Sequence, residues 1–146
     1  GQESASLAAL GCSGEPYDLI YQAEGSRAVL VSYGAEAEET LAACELLAQQ
    51  GIKADCCKLV QIYPLPQECI ALLQRYDTIL FAEDAIGTGG IGEQLGFALL
   101  QAGWKGIYLS AAVDNRKLLH ANVPELRRAQ GLEAAALAKR IVKEQK

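Results

Sequence analysis

The sequence predicts a three-layer α/β domain, a largely parallel sheet covered by helices on both faces. Three observations carry this expectation. Arg27-Ala-Val-Leu-Val-Ser-Tyr33 is nearly continuous in apolar residues, the pattern of a strand buried on both sides. From that segment onward strand-like and helix-like stretches alternate, which implies parallel strands joined by right-handed crossovers. The apolar run Thr78-Ile-Leu-Phe-Ala82 meets an acidic pair, Glu83-Asp84, after which a glycine-rich loop opens into a helix.

Residues 1–16 are rich in Ala, Ser and Gly without a period. They read as a linker or disordered tail, which leaves 17–146 as the domain. Tyr17-Asp-Leu-Ile-Tyr-Gln-Ala-Glu24 forms a short strand with Tyr17, Leu19 and Tyr21 on one face, and Gly25-Ser26 breaks it. Gly34 ends the second strand. Ala37, Leu41, Cys44 and Ala48 then recur at helical spacing, with Glu36, Glu38, Glu39 and Gln49 off the apolar stripe. The early glutamates suit the positive end of a helix dipole, and Gly51 supplies a C-terminal stop. Residues 52–60 form the third strand, closed by Pro64 and Pro66. Residues 67–76 give a short helix led by proline. Residues 78–82 are the fourth strand, 91–102 a helix stopped by Gly103, and 106–113 the fifth strand. Residues 133–143 form the last helix, with Ala134, Leu137, Ala138 and Ile141 inward.

A chain of 146 residues can bury roughly 70% of the surface its unfolded form exposes, enough for its own core. The 51% hydrophobic content argues against a disordered chain. A net charge of −5 repels phosphate backbones and anionic lipid, so neither nucleic acid nor membrane is an expected partner. The five cysteines, Cys12, Cys44, Cys56, Cys57 and Cys69, form no C-x-x-C pair and no Cys/His cluster. Buried free thiols in a reducing cytoplasm explain them, with Cys56 and Cys57 on opposite faces of a strand. No methionine is present, and the chain begins at Gly1. It therefore reads either as processed or as a piece of a longer protein, and a piece can lack the active site of its parent.

Gly87-Thr-Gly-Gly-Ile-Gly92 matches G-x-G-x-x-G letter for letter, follows a strand and opens a helix, and Asp114 follows the next strand. That is the context of a dinucleotide fingerprint. Against it, Glu83-Asp84-Ala85-Ile86 separate the strand from the first glycine, and two carboxylates there would face a pyrophosphate. Three strands also precede a motif that usually sits on the first. A free-standing dinucleotide-binding module stays open as the weaker reading. The simplest alternative is that the glycines permit a tight turn and close helix packing.

Several segments, taken in order, resemble the C-terminal domain of the transketolase superfamily of thiamine-diphosphate enzymes, over residues 17–146. Val29-Leu-Val-Ser-Tyr-Gly34 before an acidic helix start is similar to that family's opening strand. Leu59-Val-Gln-Ile-Tyr-Pro-Leu-Pro66 resembles its strand ending in Lys-Pro-Leu-Asp. Glu83-Asp84 with Gly89-Gly90-Ile91-Gly92 looks like its Glu-Glu…Gly-Gly-Phe-Gly. Within the superfamily, Gln130-Gly-Leu-Glu-Ala-Ala-Ala-Leu-Ala-Lys-Arg-Ile141 is most like the ending of 1-deoxy-D-xylulose-5-phosphate synthases. Asp114 and His120 resemble those enzymes' Pro-Asp-x-Phe-x-x-His segment, with Val113 in place of the proline.

The resemblance implies a five-stranded mixed sheet of order 1-3-2-4-5 with strand 1 antiparallel. It implies a parent enzyme that condenses pyruvate with D-glyceraldehyde 3-phosphate and releases CO₂, toward isoprenoid and thiamine synthesis. Thiamine diphosphate and Mg²⁺ would be held by the N-terminal and middle domains of a homodimeric parent. This piece would bind no cofactor or metal and would contribute no catalytic residue. Its role would be to support the dimer and wall the active site, with Glu83, Asp84, Gly89, Gly90, Gly92 and His120 as candidate interface or wall residues. A transketolase or the beta subunit of a 2-oxoacid dehydrogenase is the alternative parent.

For single residues the plainer reading is structural. Glu83 is expected to accept hydrogen bonds from the glycine-loop amides. A lone His120 reads as a surface or capping residue. Arg116, Lys117, Arg127 and Arg128 read as a solvated face, and Trp104 and Tyr108 as packing.

Overall fold

The computed structural model describes residues 16–34, 36–62, 64–84, 90–113 and 123–144. Five strands form one sheet: β1 (Tyr17–Tyr21), β2 (Ala28–Tyr33), β3 (Ala54–Leu59), β4 (Thr78–Asp84) and β5 (Ile107–Val113). Their order is β1-β3-β2-β4-β5. β1 runs antiparallel to β3, and every other neighbouring pair is parallel. This is the order and orientation the family resemblance implies. Four helices complete the described elements: α1 (Glu36–Gln49), α2 (Gln67–Leu73), α3 (Ile91–Gln101) and α4 (Val123–Glu144).

Side-chain alternation along the central strands divides the core in two. Ala28 and Leu30 of β2, with Leu80 and Ala82 of β4, meet Leu41, Cys44 and Leu47 of α1 and Leu137 and Ile141 of α4. Val29 and Val31, with Ile79 and Phe81, meet Ile70 and Leu73 of α2 and Leu95 and Leu99 of α3. The sheet is therefore the middle of three layers, which explains why β2 and β4 read as unbroken apolar runs. Cys56 faces the first core and Cys57 the second, as adjacent strand residues must. Cys44, Cys56, Cys57 and Cys69 are all free and buried.

The structure departs from the sequence reading at several points. β1 ends at Tyr21 rather than Glu24. Leu19 pairs with Cys57 but Tyr21 pairs with Cys56, so Ile20 is an extra residue in a bulge. That bulge puts Tyr21 against the first core while Tyr17 and Leu19 pack on the second, so the three do not share a face. In α1, Ala48 is exposed and Leu47 is fully buried. Glu39, placed off the stripe, is only 3% exposed. It precedes Ala43 by four and Leu46 by seven on a helix that packs along α4, a second contact the single-stripe reading omitted. β4 continues through Glu83 and Asp84 instead of ending at Ala82, because β5 pairs with both residues. α4 starts at Val123, ten residues before the expected start. Pro124 is tolerated in a first helical turn, and Gly131 is accommodated inside the helix despite its poor propensity.

Candidate functional site

The described polar groups of most interest lie where β4 hands over to α3. Parallel pairing with β2 on one side and β5 on the other carries Glu83 to the C-terminal end of the sheet. In an open α/β sheet that end is where ligands and partner domains meet the fold. Gly90 is the N-cap of α3, with φ +90° and ψ −11°, a left-handed conformation that favours glycine. Having no side chain, it makes no side-chain capping bond to the helix. Glu83 supplies one from outside. Its Oε2 accepts the Gly92 N–H at 3.1 Å, so a carboxylate rests on the positive end of the α3 dipole. This is the amide-accepting role the sequence suggests for Glu83.

Gly92 is built into the same contact. A Cβ there would lie 3.1 Å from Phe81 Cδ1 and 3.6 Å from the Glu83 carboxyl carbon. The glycine therefore lets α3 settle on β4 at close range. From β5, the Tyr108 hydroxyl donates to the Gly92 carbonyl at 2.5 Å. Burial, aided by the negative charge of Glu83, raises the Tyr108 hydroxyl well above its ordinary pKa and keeps it a donor. The Tyr33 and Phe81 rings pack at a centroid distance of 6.1 Å beside this end of the sheet.

Of the predicted site residues, Glu83, Gly90 and Gly92 are brought together here. Asp84 is placed by its backbone as the last residue of β4, opposite Val113 of β5. Gly89 and His120 lie outside the described residues, as do Asp114, Arg116 and Lys117. Tyr108 was expected only to pack. Its hydroxyl bond to Gly92 depends on β5 neighbouring β4, which no local pattern reveals.

A second polar cluster lies at the opposite end of the sheet. Asp55 is 5% exposed. It accepts the Ala23 N–H at 2.7 Å and the Tyr76 hydroxyl at 2.5 Å. Trp104 Nε1 donates to the Tyr76 carbonyl at 2.8 Å. Asp55 and Tyr76 line a cleft of about 520 Å³ with Ser26, Leu72 and Arg75. Both oxygens of Asp55 are already engaged within the fold, which makes it a structural anchor between β1, β3 and the end of α2. The sequence offered no sign of it beyond a charged residue inside a strand.

Among the described residues no three His, Cys, Asp or Glu side chains converge to hold a metal ion. The Glu83 carboxylate at the helix start is committed to Gly92. An incoming pyrophosphate would have to displace it, so this geometry does not favour the dinucleotide reading. The described residues likewise do not fit a Mg²⁺–diphosphate centre. No described helix is long and apolar enough to cross a membrane.

Comparison with known proteins agrees with this geometry. Residues 19–137 match the family model for the transketolase C-terminal domain. A 1-deoxy-D-xylulose-5-phosphate synthase from Rhodococcus jostii is 33% identical over 125 residues, 85% of this chain and 19% of the relative. A putative transketolase C-terminal section from Methanocaldococcus jannaschii is 27% identical over 84% of this chain and 38% of its own length. The curated relatives are mostly named as 1-deoxy-D-xylulose-5-phosphate synthases. A split-gene transketolase, solved as an inactive β4 tetramer, superposes with a TM-score of 0.68 at 20% identity, over 91% of this chain and 44% of that one. At that identity the likeness shows the fold alone. The chain spans about a fifth of the length of the synthases it matches.

Proposed function

Because the chain belongs to the transketolase C-terminal domain family, we propose that it is the C-terminal domain of a thiamine-diphosphate-dependent transferase of the 1-deoxy-D-xylulose-5-phosphate synthase type. The observation that carries this reading is the alignment of 85% of the chain with such a synthase at 33% identity. On this reading the parent joins pyruvate to D-glyceraldehyde 3-phosphate with loss of CO₂, in the cytoplasm, toward isoprenoid and thiamine precursors. The domain proper is 17–146, and 1–16 is the linker that ties it to the rest. Thiamine diphosphate and Mg²⁺ are assigned, by resemblance to the family, to N-terminal and middle domains outside this chain.

The domain's own contribution is then a surface. The end of β4 and the start of α3, with Glu83, Asp84, Gly90 and Gly92, face the other domains or the partner of a homodimer, and resemblance to the family motif assigns Gly89 and His120 to the same wall. The Glu83–Gly92 bond supports this, because it fixes the start of α3 on the end of β4.

A natural split subunit is the second reading, favoured by the relative named as a transketolase C-terminal section. The test is an assay of the intact parent, or of this chain mixed with its companion subunit, supplied with thiamine diphosphate and Mg²⁺. Pyruvate and D-glyceraldehyde 3-phosphate should give CO₂ and 1-deoxy-D-xylulose 5-phosphate. Two-carbon transfer from a ketose phosphate without CO₂ release would instead assign a transketolase. Oxidative transfer from a 2-oxoacid to a lipoyl acceptor would assign the dehydrogenase beta subunit.

A further inference from the structure

We propose that Tyr108 is a positioning residue for the Glu83 carboxylate, acting through Gly92 alone; this rests on the reading of the β4 end as an active-site wall or domain interface. Gly92 is the second residue of α3, so its N–H is one of the helix-start donors with no intrahelical partner. Gly90 before it has no side chain to offer. The location of the Glu83 carboxylate is therefore tied to the location of the Gly92 N–H.

The two peptide groups that flank the Gly92 Cα are gripped from two strands. Glu83 on β4 accepts the Gly92 N–H at 3.1 Å, and Tyr108 on β5 donates to the Gly92 carbonyl at 2.5 Å. The Tyr108 ring also lies against α3, so close that a Cβ at Gly96 would fall 3.1 Å from Cε2. With no side chain at 92 or 96, the ring and the carboxylate can reach the helix backbone itself. Gly92 is buried while Glu83 is partly exposed, so the grip is inside and the carboxylate is at the surface. On the reading of this end as an interface, the partly exposed Glu83 side chain is held, already oriented, toward a neighbouring domain.

Two measurements test the proposal. Hydrogen exchange of the Gly92 amide is read in this chain for Tyr108→Phe, with Tyr76→Phe, a buried tyrosine at the other end of the sheet, as control. Tyr108→Phe should raise exchange at Gly92 by about tenfold, the equivalent of one hydrogen bond, and leave the amides of β2 and α1 unchanged. Tyr76→Phe should leave Gly92 unchanged. Unaltered exchange at Gly92, or a loss of protection spread evenly over the sheet, overturns the proposal.

Turnover of the intact parent is then compared for Tyr108→Phe, Glu83→Gln and the double variant. The double variant should match Glu83→Gln within twofold, since Tyr108 acts only through that carboxylate. Losses that multiply would mean that Tyr108 acts independently, and the proposal fails. If Glu83→Gln alone retains full turnover, the reading of this end as a functional surface falls, while Gly92 exchange still decides whether Tyr108 positions the carboxylate.

Discussion

At the residue scale, a single glycine organises the candidate site. Gly92 gives its N–H to Glu83 and its carbonyl to Tyr108, and its missing Cβ admits Phe81. The neighbouring Gly90 is needed for a different reason, its φ of +90°. The two glycines should therefore fail differently. Gly90→Val puts a β-branched residue in the left-handed region and should destabilise by about 1–3 kcal/mol. Gly90→Asn should be milder, because asparagine tolerates that conformation and a Cβ there meets nothing within 4 Å. Gly92→Ala has no such strain, but its Cβ presses on a fully buried Phe81 and should cost about 1–3 kcal/mol by overpacking. Urea midpoints at unchanged slope measure all three. If Asn and Val at position 90 were equally costly, backbone strain would not be the constraint. Glu83 was legible in the sequence as an acid beside a glycine run at a helix start. Tyr108 was not, because its role exists only once β5 lies beside β4 and α3 crosses over it.

At the scale of elements, strand and helix identities were legible and their edges were not. The apolar runs of β2 and β4 and the inward face of α4 at Ala134, Leu137, Ala138 and Ile141 follow from periodicity alone. The bulge at Ile20, the last two residues of β4 and the first ten of α4 do not, because neighbouring elements or tolerated helix breakers decide them. α1 shows how a stripe can be misread by one residue. An alanine at 48 and a leucine at 47 both satisfy helical spacing. Packing against both the sheet and α4 selects Leu47, which is fully buried. Leu47→Ala should therefore cost about 2–5 kcal/mol. Ala48→Lys, on the exposed side of the same turn, should stay within about 0.5 kcal/mol of wild type. Chemical denaturation decides it, and the reverse ranking would mean that α1 is rotated from the position described.

At the scale of the whole molecule, the sheet order came from family resemblance, since pairing of β1 with β3 across β2 and α1 is a long-range choice that local pattern leaves open. What the fold then does with its titratable groups is a property of the assembled layers. The Cys44 thiol is raised by its bond to Cys56 and by burial, and the Cys57 thiol by its bond to Cys69 and by burial. Tyr76 is raised by burial and by Asp55, and Tyr108 by burial and by Glu83. All four are neutral when protonated, and all four hold their protons more tightly folded than unfolded. Their contribution to stability is therefore complete below the ordinary values of 9.0 for the thiols and 10.0 for the tyrosines, and it is lost as pH climbs beyond them. Urea midpoints should be flat from about pH 7 to 8.5 and fall steadily above about pH 9. Deprotonation of surface lysines also adds negative charge to a chain already at −5, so the fall alone does not identify its source. The phenylalanine variants do. Tyr76→Phe and Tyr108→Phe should each begin from a lower midpoint at pH 7, having lost a hydrogen bond worth about 1 kcal/mol. Each should then lose less than wild type between pH 9 and 11, because the titrating group is gone while the surface charge is unchanged. Midpoints that ran parallel to wild type across that range would mean that neither tyrosine carries the alkaline limb.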